Sequence, residues 1–134
     1  MALTPIIFGD IDLWATGYLR AALIARTEPY TDDVFVDRKI PNPRRDRMVI
    51  ARRDGGPRLD AVREAPRLGI GVWAMTDQDA IDLALMTSAL FCASPDGLPV
   101  CKVTQMLGPT PVPDESGQPR LYMTFELITK GRNL

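Results

Sequence analysis

The residues best placed to do chemistry in this chain are basic. Between positions 38 and 67 there are ten cationic side chains: Arg38, Lys39, Arg44, Arg45, Arg47, Arg52, Arg53, Arg58, Arg63 and Arg67. Four acids share that window, Asp46, Asp54, Asp60 and Glu64, so it carries +6, while the remainder of the chain holds six basic against thirteen acidic residues and carries −7. A guanidinium presents a rigid fork that matches a carboxylate or a phosphate with two hydrogen bonds. The window therefore suits either nucleic acid or the acidic surface of another copy. It contains no aromatic residue of the kind that single-strand binders use to stack bases. That omission favours a protein interface over a nucleic-acid groove, with a solvated face as the plainest alternative.

Other constellations are thin. Histidine is absent, which removes the commonest general base and the usual Ser-His and Cys-His nucleophile pairs, along with most catalytic zinc sites. Ser88, Ser94 and Ser116 thus have no histidine to activate them. Asp32, Asp33 and Asp37 precede the basic window, and Asp77 and Asp79 open a helix. Paired carboxylates can hold a hard cation, but a solvated turn and a helix start account for these. Asp54-Gly55-Gly56-Pro57 is glycine-rich but lacks the Gly-Lys-Ser/Thr ending of a nucleotide loop, and reads as a turn. Cys92 and Cys101 are nine residues apart, which is no zinc pattern; they read as small half-buried hydrophobes in a reducing compartment. No catalytic residue, cofactor or metal is expected.

The elements that must hold these residues follow from periodicity. The chain has 134 residues, 46% hydrophobic and 25% charged, suited to one domain over residues 1–134 with one core. Residues 10–26 show Ile11, Ala15, Tyr18, Leu19, Ala22 and Leu23 at helical spacing, and Asp10 or Asp12 suits the positive helix start. Residues 33–40 alternate as a strand, broken by Pro41-Asn42-Pro43. Residues 47–53 and 68–75 are further strands on either side of the Asp54-Gly55-Gly56 turn, with part of 57–66 an irregular excursion. In the second of these, Gly69 and Gly71 leave room beside Trp73 for something to pack closely. Thr76 caps a second helix, running to about Ala93 and ended by Pro95-Asp96-Gly97. Strands at 100–107 and 120–129 close the chain, joined by a proline-rich loop at 108–119.

This order predicts an α+β fold: a single, largely antiparallel, twisted sheet with two helices. Trp73, Leu68, Ile70, Val72, Leu83, Leu90 and Phe125 are expected in its core. Arg52 and Arg53 are neighbours on a strand, so their side chains leave opposite faces, and at least one is expected to reach solvent, a lumen or a neighbouring subunit. The carboxylates available to meet such arginines across a joint are Asp32, Asp33, Asp37, Asp114 and Glu115. No apolar run is long enough to cross a bilayer, and the N-terminus lacks the basic start and cleavage site of a signal peptide, so a protein made and kept in a cytoplasm is expected.

Three ordered stretches carry a resemblance. They are Ile40-Pro41-Asn42-Pro43-Arg44 running through Met48-Val49-Ile50-Ala51-Arg52-Arg53-Asp54-Gly55-Gly56; Ala65-Pro66-Arg67-Leu68 through Val72-Trp73-Ala74; and Asp114-Glu115-Ser116-Gly117-Gln118-Pro119-Arg120-Leu121-Tyr122 through Lys130-Gly131-Arg132. Together they resemble the tail terminator proteins of siphophages, especially those of actinobacterial phages. Asp54 stands where a threonine is common, and the aromatic of Leu121-Tyr122 falls one residue late. The resemblance implies a structural virion protein that assembles as a homo-oligomeric ring, six copies being the expected number. The ring would cap the head-proximal end of the tail tube, ending its polymerisation. Its partners would be the major tail tube protein and the head-tail connector (stopper) protein, with viral DNA passing through the lumen without sequence recognition and no membrane involved. Arg44, Arg45, Arg47, Arg52, Arg53, Asp54, Arg58, Asp114, Glu115 and Arg120 are the interface or lumen residues it implies. The alternatives are a head-tail stopper or other neck protein of the same connector, and a small nucleic-acid-binding protein.

Overall fold

The structure, a computed structural model, describes residues 4–94 and 99–134. The expected helix stop at Pro95-Asp96-Gly97 therefore lies outside the described residues. Strand β1 (Ile6–Ile7) is followed by helix α1 (Ile11–Ile24), a single 3-10 turn (Pro29–Thr31), β2 (Phe35–Asp37), β3 (Met48–Arg53), β4 (Arg63–Glu64) and β5 (Arg67–Trp73). Helix α2 (Asp77–Cys92), β6 (Val100–Pro111), β7 (Arg120–Lys130) and β8 (Arg132–Asn133) complete the chain. The fold is α+β, two helices on a largely antiparallel mixed sheet.

Strand alternation and glycine decide which face of that sheet is which. On one face stand Val49 and Ala51 of β3, Leu68, Ile70 and Val72 of β5, and Leu121, Met123, Phe125 and Leu127 of β7. The helices cover this face with Ile11, Ala15, Leu19 and Leu23 from α1 and Ala80, Leu83, Ala84 and Phe91 from α2. The alternate positions, Met48, Ile50 and Trp73, form a small second cluster with Phe35 on the opposite face. No helix of the described residues covers that side; the sheet is half-clothed, as antiparallel sheets often are. Both helices begin where a side chain satisfies an orphan amide: Asp10 accepts from Leu13 N at 3.2 Å, and Thr76 accepts from Asp79 N at 3.1 Å. Helix α1 is tied to α2 by the Tyr18 hydroxyl, which donates to Leu90 O at 2.7 Å.

Several expectations change in detail. The strand expected at 33–40 shrinks to Phe35–Asp37 and pairs with β3 in parallel, the one parallel pairing among the described residues. Residues 38–47 make the return connection, and Pro41 and Pro43 cannot donate to a ladder there. The final loop is shorter than 108–119, because β6 continues against β7 through Pro111, accommodating three register shifts on the way. Residues 54–66 form the excursion between β3 and β5, with Gly55 and Gly56 at positive φ (84° and 103°). That excursion contains β4, whose pairing with β7 keeps the register of β5: Arg63 faces Lys130 and Glu64 faces Thr129, just as Arg67 faces Glu126. Strands β4 and β5 are one line along β7, interrupted at Pro66, which still accepts from Leu127 N at 3.0 Å. The chain ends meet in the antiparallel β1–β8 ribbon.

Of the expected core, Leu68, Ile70, Val72, Leu83 and Phe125 are fully buried, and Leu90 is half-buried at the margin. Trp73 is buried too, 3% exposed, but under the uncovered face rather than in the main core. The reading of Cys92 and Cys101 as half-buried is corrected: both are exposed free thiols. Cys92 ends the α2 stripe on its outer side, and Cys101 sits on the outermost strand, so neither has a layer to cover it.

Candidate functional site

The uncovered face carries the chemistry. Along β5 it presents Arg67, Gly69, Gly71 and Trp73, flanked by Met48, Ile50 and Arg52 of β3 and by Arg120, Tyr122 and Thr124 of β7. The room left by the two glycines is occupied from within the chain. A Cβ on Gly71 would stand 2.7 Å from the Trp73 ring, and one on Gly69 would stand 3.0 Å from Cζ of Tyr122. The edge of the Trp73 ring covers Gly71 and the phenol end of Tyr122 covers Gly69, which explains why glycine alternates with bulky residues here.

Arg52 lies directly opposite Gly69, so no side chain on the neighbouring strand faces it. Its guanidinium is exposed and makes no ion pair or hydrogen bond among the described residues. Arg120, the first residue of β7, places its guanidinium carbon 4.9 Å from the centre of the Trp73 ring, a cation–π arrangement. The Nε of Arg120 and the indole Nε1 of Trp73 are buried without a hydrogen-bond partner among the described residues. Between Ile50, Arg52, Trp73, Arg120 and Tyr122, over the two glycines, is a cavity of about 150 Å³. Beside it a wider groove of about 610 Å³ adds Arg38, Lys39, Arg44, Asp114 and Glu115.

The loop 112–119 forms the acidic rim of that groove. Arg44 Nη1 donates to Asp114 Oδ2 at 3.0 Å and to Ser116 Oγ at 3.3 Å, and Arg44 Nη2 is 3.8 Å from Glu115. Burial alone would raise the Asp114 carboxyl. The Ser116 hydroxyl and amide and the Arg44 guanidinium more than offset it, holding the group below the usual carboxylate range. The Trp73 indole is close enough to favour the charged form without reaching hydrogen-bond geometry.

The sequence-predicted set divides accordingly. Arg44, Arg52, Asp114, Glu115 and Arg120 come together on the uncovered face, and Asp54 lines its small cavity. The other four, Arg53 among them although it also borders the small cavity, hold partners of their own. Arg45 pairs with Asp33 at 2.8 Å and has Phe35 beneath it. Arg47 pairs with Asp79 at 3.3 Å, tying the β3 approach to the start of α2. Arg53 leaves the opposite side of β3 from Arg52 and grips Glu64 with two hydrogen bonds, at 3.0 and 3.2 Å. Arg58 stacks on Phe8 at 4.8 Å and donates to the carbonyls of Ile6, Asp60 and Ala61. Much of the basic window is thus neutralised inside one chain; Asp33, Asp114 and Glu115, expected to meet a neighbour's arginines, already hold arginines of their own.

Sequence reasoning missed Trp73 and Tyr122 as members of this site, and Arg38 and Lys39 as its rim. The signal was present for the first two: both share strand parity with Arg120 and the glycines. No helix of the described residues is long and apolar enough to cross a membrane. A scan against protein-family models finds no match for this chain, and a search of the curated proteins finds none either.

Proposed function

We propose that the chain is the ring-forming terminator of a siphophage tail, a structural virion subunit without catalysis or cofactor. It would be made in the host cytoplasm and placed between tail tube and head-tail connector. The observation that carries the reading is where the three resembling stretches lie. They are the adjacent strands β3, β5 and β7 with their loops 40–47, 54–57 and 114–119. Stretches distant in sequence therefore build one continuous surface, which is what a shared assembly role requires and what chance similarity of separate segments does not. A ring subunit also needs two unlike surfaces that meet head-to-tail around an axis. The cationic uncovered face and the net acidic remainder can supply them. Six copies, contacts to the major tail tube protein and the stopper, and DNA traversing the lumen complete the role.

The test is the length of tails assembled without this protein. Loss of the chain should give tubes that overgrow and fail to join heads. Tails of normal length that still fail to join heads would instead favour a stopper or other neck protein.

A further inference from the structure

We propose that the cavity between Arg52, Trp73 and Arg120 receives a carboxylate side chain from a second copy of this chain. The inference deepens the ring reading by naming the joint on which subunits meet.

Among the described residues the cavity's donors, from Arg52, Arg120 and Trp73, outnumber the one carboxylate that lines it, Asp54. Among the described residues Arg52 has no partner, Arg120 is held only by the Trp73 ring, and the buried Arg120 Nε and Trp73 Nε1 have no acceptor in hydrogen-bond geometry. Buried donors left unmatched cost free energy, and an acceptor entering the cavity removes that cost. About 150 Å³ admits one short side chain and no more. Its walls are mixed: Ile50, Trp73 and Tyr122 suit the methylene of an aspartate or glutamate, and the guanidinium groups suit its head.

A nucleic-acid strand fits less well. Trp73 lies under Arg120 and is 3% exposed, so no base can stack on it, and Asp54, Asp114 and Glu115 on the rim oppose a continuous line of phosphates. A single inserted carboxylate tolerates such a rim. The same chain also offers the complement. Asp32, Asp46 and Asp77 are exposed and have no ion pair among the described residues. Basic face and acidic surface on one subunit make a heterologous, head-to-tail contact.

The experiment uses the full chain. Sedimentation of wild type, Arg52→Ala, Arg120→Ala and the distant control Lys102→Ala gives the association constants. Carbodiimide coupling of Arg52→Lys, in a mixture of heavy- and light-isotope chains, then locates the carboxylate. The expected result is association that weakens with salt, falls roughly tenfold or more in Arg52→Ala and Arg120→Ala, and is unchanged in Lys102→Ala. A mixed-isotope link should join the new amine to an aspartate or glutamate. A wild type that stays monomeric up to about 1 mM, association indifferent to both arginines, or links confined to one chain overturns the proposal. So does lost retention on duplex DNA with association intact, since the occupant is then a phosphodiester. The two readings fail separately. Dimers or open chains built through this cavity would retire the ring and keep the site, and a six-membered ring indifferent to both substitutions would do the reverse.

Discussion

Two arginines adjacent in sequence should behave as unrelated residues in a stability measurement. Arg52 projects from the uncovered face with no partner among the described residues, whereas Arg53 projects from the other side of β3 and holds Glu64 with both terminal nitrogens. The Glu64 side chain is 10% exposed and that of Arg53 32%. An exposed pair contributes about 0.2–1 kcal/mol, and removing one partner of a fully buried pair costs about 3–5 kcal/mol. With one member buried and the other one-third exposed, Arg53→Ala should cost about 2–3 kcal/mol, mostly as the penalty of stranding Glu64. Arg52→Ala should change stability by less than about 0.5 kcal/mol. For a chain of this size each kcal/mol moves Tm by roughly 3–5 °C, so calorimetry should show Arg53→Ala melting roughly 6–15 °C below Arg52→Ala. Adding Glu64→Gln closes a double-mutant cycle, with a coupling of at least about 1 kcal/mol expected. Equal melting of the two single variants, or zero coupling, would refute the claim that Arg53 is structural. Reversing the charge of both arginines together would mix a folding defect with an interface defect, so interface tests belong on Arg52 alone.

Trp73→Ala should cost on the order of 3–5 kcal/mol by chemical denaturation, because it empties the second cluster with Met48, Ile50 and Phe35; a variant that melts like the parent would mean the ring is not structural. Gly56→Ala should cost at least about 2 kcal/mol, since Gly56 has φ 103° and a Cβ there would stand 2.7 Å from Arg67 N and Pro66 Cα. An unchanged denaturation midpoint would contradict that backbone placement. Asp114, held below the usual carboxylate range, contributes stability that is full above its unfolded pKa of about 3.9 and is lost as pH falls through the lower folded value. Asp114→Asn should therefore flatten the fall in Tm below about pH 4, and an unchanged acid limb would count against the Arg44–Ser116–Asp114 cluster.

What the sequence disclosed and what it hid divide along physical lines. The helices were legible because Ile11, Ala15, Leu19 and Leu23, and Ala80, Leu83, Ala84 and Phe91, repeat at the helical period and must be buried together. Strands β3, β5 and β7 were legible for the same reason at period two, and Asp54-Gly55-Gly56 announced its turn. The parallel pairing of β2 with β3 was not, since strand direction is set by how residues 38–47 route the chain and not by alternation. The β4 segment was hidden by Pro66, which reads as a strand break but sits at an interruption of the line along β7. Charge counting made Arg38 to Arg67 look like one basic surface. It could not show that Arg45, Arg47 and Arg53 spend their charge on Asp33, Asp79 and Glu64, because those partners come from other elements of the fold. Even the two glycines of β5 misled by half: they do leave room, and Tyr122 and Trp73 fill it.

The most direct test of the central claim is native mass spectrometry of this protein released from assembled tails, matched to cryo-EM of the head-proximal tail end. The expected result is a closed ring of six copies capping the tube, with the uncovered sheet face of each subunit against its neighbour. Single copies or dimers at that position would contradict it.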